Sequence, residues 1–169
     1  MAKSRVLAFL ALSMVVVAWA ADPKAALKDG ADCGGFAASD AATWLKVPPA
    51  QVTRTVQSSG KTLWLCSFAV GKAPPAIAFS LEIAANAKKA TEQVERYRDD
   101  LATAGETKPW KGKLPKGAYS DIMGVGDEAV WTDINGAFTV RKGHVIVQVT
   151  LPKEKLDQVK LGQAVVAKF

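Results

Sequence analysis

The clearest alternation in the chain runs through Ala76–Ala84, where Ile77, Phe79, Leu81 and Ile83 fall on one side of a period-2 pattern. Such alternation predicts a β-strand with one buried face. Upstream, Thr62–Val70 is apolar on both sides: Trp64, Cys66, Phe68 and Val70 share one face, and Leu63, Leu65 and Ala69 share the other. A strand covered on both faces belongs in a central position of its sheet. Gln51–Ser58 mixes polar and apolar positions and predicts an outer strand, turned into its neighbour by Ser59-Gly60. After Ala84 the period changes. Ala87, Ala90, Val94, Tyr97, Leu101 and Ala104 recur at steps of three and four, the stripe of an amphipathic helix that starts at Asn86 and is capped by Gly105. Glu92 and Arg96 are spaced for an i,i+4 ion pair on its outer side.

The second half of the chain returns to strands. Asp133-Ile134-Asn135-Gly136 contains the Asn-Gly pair of a tight hairpin and predicts a type I′ turn that sets Trp131 opposite Val140. Lys142-Gly143 predicts the next turn, with Val140 opposite Val145. One face then collects Trp131, Phe138, Val140, Val145, Val147, Val149 and Leu151. Pro152 suits the first turn of a last helix over 153–168, with Leu156, Val159 and Val166 inward. Near the start, Ser39 or Asp40 caps a short helix through Leu45 that Pro48-Pro49 stops. Residues 106–119 read as an irregular loop. The order helix, strands, helix, strands, helix predicts an α+β fold: an antiparallel sheet of five or six strands with helices packed on it. It forms a single domain over residues 33–169.

The first 20 residues follow a different rule. Lys3 and Arg5 precede an apolar run, Val6–Ala18, broken only by Ser13, and Ala18-Trp19-Ala20 is a small-x-small cleavage signal. This is the pattern of a secretory signal peptide cleaved near Ala20. The run is too short for a stable spanning helix, so the mature form is expected to have no membrane span. Residues 21–32 read as a flexible leader. The mature chain is therefore expected in the periplasm or secreted. No cysteine directly follows the apolar run, which excludes an acyl anchor at Cys33.

Composition narrows the partners. The signal takes away two of the 22 basic residues and none of the 16 acidic ones, so a net charge of +6 becomes +4. The remaining charges are dispersed, without the dense basic face expected of a nucleic-acid binder. Cys33 and Cys66 are the only two cysteines. In an exported chain such an even pair predicts a disulfide, worth roughly 3–4 kcal/mol for a loop of this length. A redox or metal role would favour a closer, CxxC-type spacing.

Several motifs invite chemistry. Gly124-Val-Gly126-Asp-Glu-Ala129 matches the loose GxGxxG/A pattern of a pyrophosphate cradle. That cradle needs a helix after it, whereas Val130-Trp131-Thr132-Asp133 leads into a hairpin, and Asp127 and Glu128 would repel phosphate. The glycines are expected to serve a tight turn or bulge. Asp127 and Glu128, adjacent on a strand, would point to opposite faces, which argues against a carboxylate pair. His144 is the only histidine and is expected at a strand end on the surface. These features predict no catalytic residue, no metal site and no cofactor. The best candidate contact surface is Lys108-Pro-Trp110-Lys111-Gly-Lys113-Leu-Pro-Lys116, four lysines around a tryptophan. Lys108, Trp110, Lys111, Lys113 and Lys116 could meet an anionic ligand or an acidic protein.

Five features taken together resemble a known family. They are Cys33, the helix ending Ala-Ala-Thr-Trp44-Leu45, the segment Leu63-Trp-Leu-Cys66, the stretch Gly124-Val-Gly-Asp-Glu-Ala-Val-Trp131, and Phe138-Thr-Val-Arg141-Lys-Gly143. The family consists of small exported two-cysteine domains of unknown function, best known as actinobacterial lipoproteins. The resemblance implies a PsbP-like α+β sandwich, a Cys33–Cys66 bridge, and a binding or accessory role. It brings no catalytic residues. The lipid-attachment cysteine of the commoner family pattern is missing here. The expectation is a non-catalytic binding or accessory module of the cell envelope. A protein-interaction module that inhibits or escorts an envelope enzyme is the alternative, and an unrecognised enzyme is the third reading.

Overall fold

A computed structural model describes residues 33–104 and 119–169. The expected signal segment, the leader, Gly105 and the lysine–tryptophan segment lie outside the described residues. Seven strands form one antiparallel sheet: β1 (Val52–Ser59), β2 (Leu63–Val70), β3 (Ile77–Ile83), β4 (Tyr119–Asp121), β5 (Glu128–Thr132), β6 (Ala137–Lys142) and β7 (Val145–Leu151). Their spatial order is β1-β2-β3-β7-β6-β5-β4. Two meanders, β1–β3 and β4–β7, thus meet along the β3–β7 seam. Between them in sequence runs α2 (Ala87–Ala104); α1 (Ala38–Leu45) precedes the sheet and α3 (Lys155–Val166) ends it.

The α+β class and the antiparallel sheet are as expected, but the strand count is seven rather than five or six. The addition is β4, cut from the end of the segment read as loop. Three residues carry no usable periodicity. What makes Tyr119–Asp121 a strand is pairing with β5, Tyr119 opposite Thr132 and Asp121 opposite Val130.

The sheet has two unlike faces. On the front, α1, α3 and the Cys33–Gly35 turn cover Trp64, Phe68, Phe79, Leu81, Phe138, Val147 and their neighbours in a continuous apolar core. Phe36 stands edge-on to Phe68 and Phe79, with ring centres 5.4 and 5.6 Å away. Cys33 and Cys66 are bonded across this core, Cα atoms 5.9 Å apart, tying the turn to β2. Gly34 has φ +67°, and a side chain there would strike the Phe169 ring, so the turn closes directly on the last residue of the chain. On the back, α2 lays Ala90, Val94 and Leu101 over Ala84, Val130 and Ile146. The back of β1 and β2 is more open: Leu65, expected inside, is 47 % exposed. β2 does lie between two strands, yet only one of its apolar faces is sealed.

Hairpin faces are as expected and registers are not. Trp131 pairs with Phe138, and Val140 with Ala129 and Val147, two residues away from the expected partners. The first turn uses four residues, 133–136, and among its central residues only Gly136 has positive φ, so it is not type I′. Thr132 explains the change, its Oγ1 accepting the Ile134 N–H at 3.1 Å and holding a wider loop. In the second turn Gly143 moves to the first central position, with φ +58° and His144 following it. A slip of two residues preserves the face, which is why the apolar set stayed together.

The helices required three further corrections. α1 starts at Ala38, and Asp40 caps it from inside, its Oδ2 accepting the Ala37 N–H at 2.8 Å. In α2, Glu92 pairs with Lys89 at 2.6 Å rather than with Arg96. In α3, Val166 faces inward and Val159 packs part-buried against the core, as expected, but Leu156 is 65 % exposed, and Gln158, Leu161, Gly162 and Val165 complete the inward face. The polar Gln158 disguised that stripe. Its Nε2 donates to the carbonyls of Gly136 and Pro152 at 2.7 and 2.6 Å, tying α3 to the first hairpin turn. Gly162 lets the helix lie directly on Phe138, whose ring would collide with any Cβ there.

Candidate functional site

The back of the sheet is where polar groups are brought together. Pairing across four strands sets Leu65, Ser80, Gln148 and Thr139 in one row, continued by Val130 and Asp121. α2 crosses this row and stops short of closing it. Between helix and sheet lies a half-enclosed cavity of about 290 Å³, with Val94 and Ile146 as apolar walls. Its polar lining comes from β3 (Ser80, Glu82), α2 (Gln93, Tyr97), β6 (Thr139) and β7 (Gln148). Gln93 and Tyr97 sit one helical turn apart, so both reach the same side.

Hydrogen bonds fix the orientation of this lining. Gln93 Nε2 donates to Glu82 Oε1 at 2.6 Å, and Gln148 Nε2 donates to Thr139 Oγ1 at 3.3 Å. Gln93 Oε1 and the Tyr97 hydroxyl are buried without a hydrogen-bond partner of good geometry. Burial pushes the Tyr97 phenol above its ordinary pKa, and the neighbouring Thr139, Asn135 and Gln148 side chains offset this only in part. Tyr97 therefore stays protonated and able to donate at neutral pH.

Beside the cavity, charge is concentrated and internally balanced. Arg98 on α2 binds Glu128 at 2.7 Å and Asp121 at 3.0 Å. Arg141 on β6 binds Glu128 through Nε and Asp127 through Nη1, the latter at 2.8 Å. It also donates to the Gly143 carbonyl at 2.8 Å, while the Gly143 N–H donates to Asp127 Oδ2 at 2.7 Å. Partial burial works against the charge on Arg98, but the hydrogen bonds and charges of Glu128 and Asp121 outweigh it and raise its pKa. The network fastens α2 to β4, β5 and β6. Asp127 and Glu128, expected to diverge, converge on one guanidinium because Asp127 lies in the turn before β5 rather than on the strand. They are acids committed to ion pairs.

The glycine motif makes a turn between β4 and β5. Gly126 has φ +60°, and a Cβ there would hit the Arg141 carbonyl, which accepts the Asp127 N–H at 2.8 Å. A shallow hollow of about 440 Å³ adjoins the motif, and the helix end it faces is the C-terminus of α3, at Val166 and Ala167. That end is the negative pole of the helix and would repel phosphate. Lys142 already meets it, donating to the Val166 carbonyl at 3.3 Å. His144 is half-buried rather than at the surface, with Nε2 buried and unpartnered and its carbonyl accepting the Ala84 N–H at 2.9 Å.

The contact candidates Lys108, Trp110, Lys111, Lys113 and Lys116 lie outside the described residues. Among the described residues, no group of three or more metal-ligating side chains comes together, and no helix is long and apolar enough to cross a membrane. The cavity residues were missed as a site in the sequence. The available signal was the placing of Ser80, Glu82, Thr139 and Gln148 on strands whose other faces are strongly apolar. No family model, no curated protein and no solved structure matches this chain.

Proposed function

We propose that this chain is an exported, non-catalytic binding or accessory module of the cell envelope, and that the cavity beneath α2 is its ligand site. The observation that carries this reading is the cavity lining, where Gln93 Oε1 has no protein partner and the Tyr97 hydroxyl, close to Thr139, Asn135 and Gln148, has none of good geometry. Such atoms are costly to bury unless a ligand or solvent meets them. The adjacent acids are engaged by Arg98 and Arg141, an arrangement suited to holding α2 in place rather than to proton transfer. The Cys33–Cys66 bridge supports export, since such bonds persist in oxidising compartments. The resemblance to small exported two-cysteine domains with a PsbP-like sandwich agrees with the same reading.

The test is a thermal-shift and mass-spectrometric screen of small molecules with the oxidised domain and with Ser80→Leu, which projects a side chain into the cavity. A ligand that stabilises the wild type, loses its effect on Ser80→Leu and is recovered unchanged supports the module. A compound chemically converted by the wild type overturns it in favour of an enzyme.

One observation favours the second reading, a module that inhibits or escorts an envelope enzyme. The open back of β1 and β2 presents Leu65 to solvent among Thr55, Gln57 and Ser67. Pull-down from the native envelope should then recover one stoichiometric protein. Leu65→Asp should abolish that capture if this face is used, whereas Ala at Trp110, Lys111 and Lys113 should abolish it if the lysine–tryptophan segment is used.

A further inference from the structure

We infer that the cavity beneath α2 selects a small organic cation, an ammonium or guanidinium head carrying a nearby hydroxyl or carbonyl. This rests on the binding-module reading and adds the chemical class of the ligand. The argument starts from Gln93. Its Nε2 lies 2.6 Å from Glu82 Oε1, an orientation that is enforced, because the flipped amide would set oxygen against carboxylate oxygen. Gln93 Oε1 is therefore fixed as an acceptor, and it is buried without a partner. Glu82 is a carboxylate and, when ionised, accepts only; Gln93 occupies one of its oxygens and leaves the other for a ligand. Two acceptors, one of them charged, thus stand side by side at one end of the cavity.

Among the described residues, no lysine or arginine lines this space to neutralise Glu82. Arg98, next in sequence to Tyr97, is turned into the pairs with Asp121 and Glu128. Arg141, two residues beyond Thr139 on β6, is likewise held by Glu128 and Asp127. An anion would meet Glu82 uncompensated, and a neutral ligand would leave the carboxylate without a counter-charge in a half-buried site. A head rich in N–H donors satisfies Glu82 and Gln93 together. One helical turn along α2, Tyr97 remains a neutral phenol with Thr139, Asn135 and Gln148 beside its hydroxyl, and that hydroxyl is the donor that a ligand hydroxyl or carbonyl would meet. Val94 and Ile146 offer an apolar lining for a short alkyl spacer. A volume of about 290 Å³ lies near the lower limit of small-molecule pockets, so the occupant is compact.

The experiment titrates the oxidised domain with agmatine and with ethanolamine, by calorimetry and by ¹⁵N-detected NMR, with glucose and acetate as neutral and anionic probes. The expected result is binding of at least one cation at roughly millimolar or lower concentration. Shifts should centre on Gln93 and Tyr97, and affinity should fall with added salt. Glu82→Gln, nearly isosteric and able to keep the contact with Gln93, should weaken binding about tenfold or more, the loss expected on removing a charge partner. Tyr97→Phe should weaken it less, and Lys89→Ala, outside the cavity, should leave it unchanged. Ser80→Leu decides the matter if Glu82→Gln fails to fold. Binding unaffected by both Glu82→Gln and Ser80→Leu, shifts elsewhere on the surface, or no binding of either cation overturns the inference. If glucose or acetate binds at Gln93 and Tyr97 and the cations do not, the cation assignment falls and the binding module stands. Chemical conversion of a probe overturns both.

Discussion

Phe138 and Thr139 are neighbours in β6, yet they enter two different kinds of interior. Phe138 points to the front, fully buried beneath Gly162 in the core that α3 closes. Thr139 points to the back, buried beside Gln148 at a cavity that α2 leaves half open. The front is held by apolar packing and one covalent bond. The back is held by a smaller apolar patch and by a charge network that clamps α2 from one side. Residues that close a core must match in shape, whereas residues that line a cavity need only be held at fixed positions around it. The difference marks the front as the part that makes the domain stable and the back as the part available for recognition.

Substitutions on either side test this contrast, beginning with the most damaging. Phe138→Ala should cost about 3–5 kcal/mol, because it empties the fully buried space on which Gly162 of α3 rests; urea unfolding measures it. A loss below about 1 kcal/mol would mean that the front is not the stabilising half. Replacing Cys33 and Cys66 together by Ser should cost roughly 3–4 kcal/mol in the same assay. Across the sheet, Glu128→Gln leaves Arg98 and Arg141 short of a charged partner and should cost roughly 1–3 kcal/mol, discounted for partial exposure. Part of that loss should vanish in high salt, which no front-face substitution should show. Ser80→Ala in the cavity should change stability by less than about 0.5 kcal/mol, and a larger loss would make the cavity structural.

One effect depends on pH. Burial opposes ionisation of Asp40, but the Ala37 N–H and Lys168 outweigh it and lower its pKa. A carboxyl depressed in the folded state adds stability at pH values above its ordinary pKa, and that contribution is lost as pH falls through the folded value. Asp40→Asn should therefore cost up to about 1 kcal/mol at neutral pH and nothing once the wild-type acid is protonated. Equal losses at pH 7 and pH 2 would disprove the electrostatic origin.

The front, and the α2 stripe of Ala90, Val94 and Leu101 that covers the back, were legible in the sequence to a useful degree and the polar cavity was not, for one physical reason. Apolar faces announce themselves by period, so Ile77, Phe79, Leu81 and Ile83, and the Trp131–Val149 set, were assigned to the core despite hairpin registers two residues off. Period cannot reveal which strands become neighbours. Ser80 and Gln148 are partners only because β7 folds beside β3, and Glu82 meets Gln93 only because α2 crosses the back. Each reads alone as an ordinary solvent-facing position. Gln158 shows the converse, a polar residue spent on two backbone carbonyls inside α3's buried stripe, which hid part of the true helix face and let the exposed Leu156 stand in its place. β4 was invisible because its three residues carry no periodicity of their own and are ordered by tertiary contacts, the pairing with β5 and the Arg98–Asp121 bridge.

The Cys33–Cys66 bond also sets where the domain bears tension. A pull on the chain upstream of Cys33 passes through the two sulfurs into β2, bypassing the Cys33–Gly35 turn and α1. β2 is an inner strand, paired along one edge to β1 and along the other to β3. With the bond reduced, the same pull would act first on that turn and α1 and could strip them from the sheet one after the other. Oxidation thus moves the point of mechanical loading from the margin of the fold to a strand anchored on both sides.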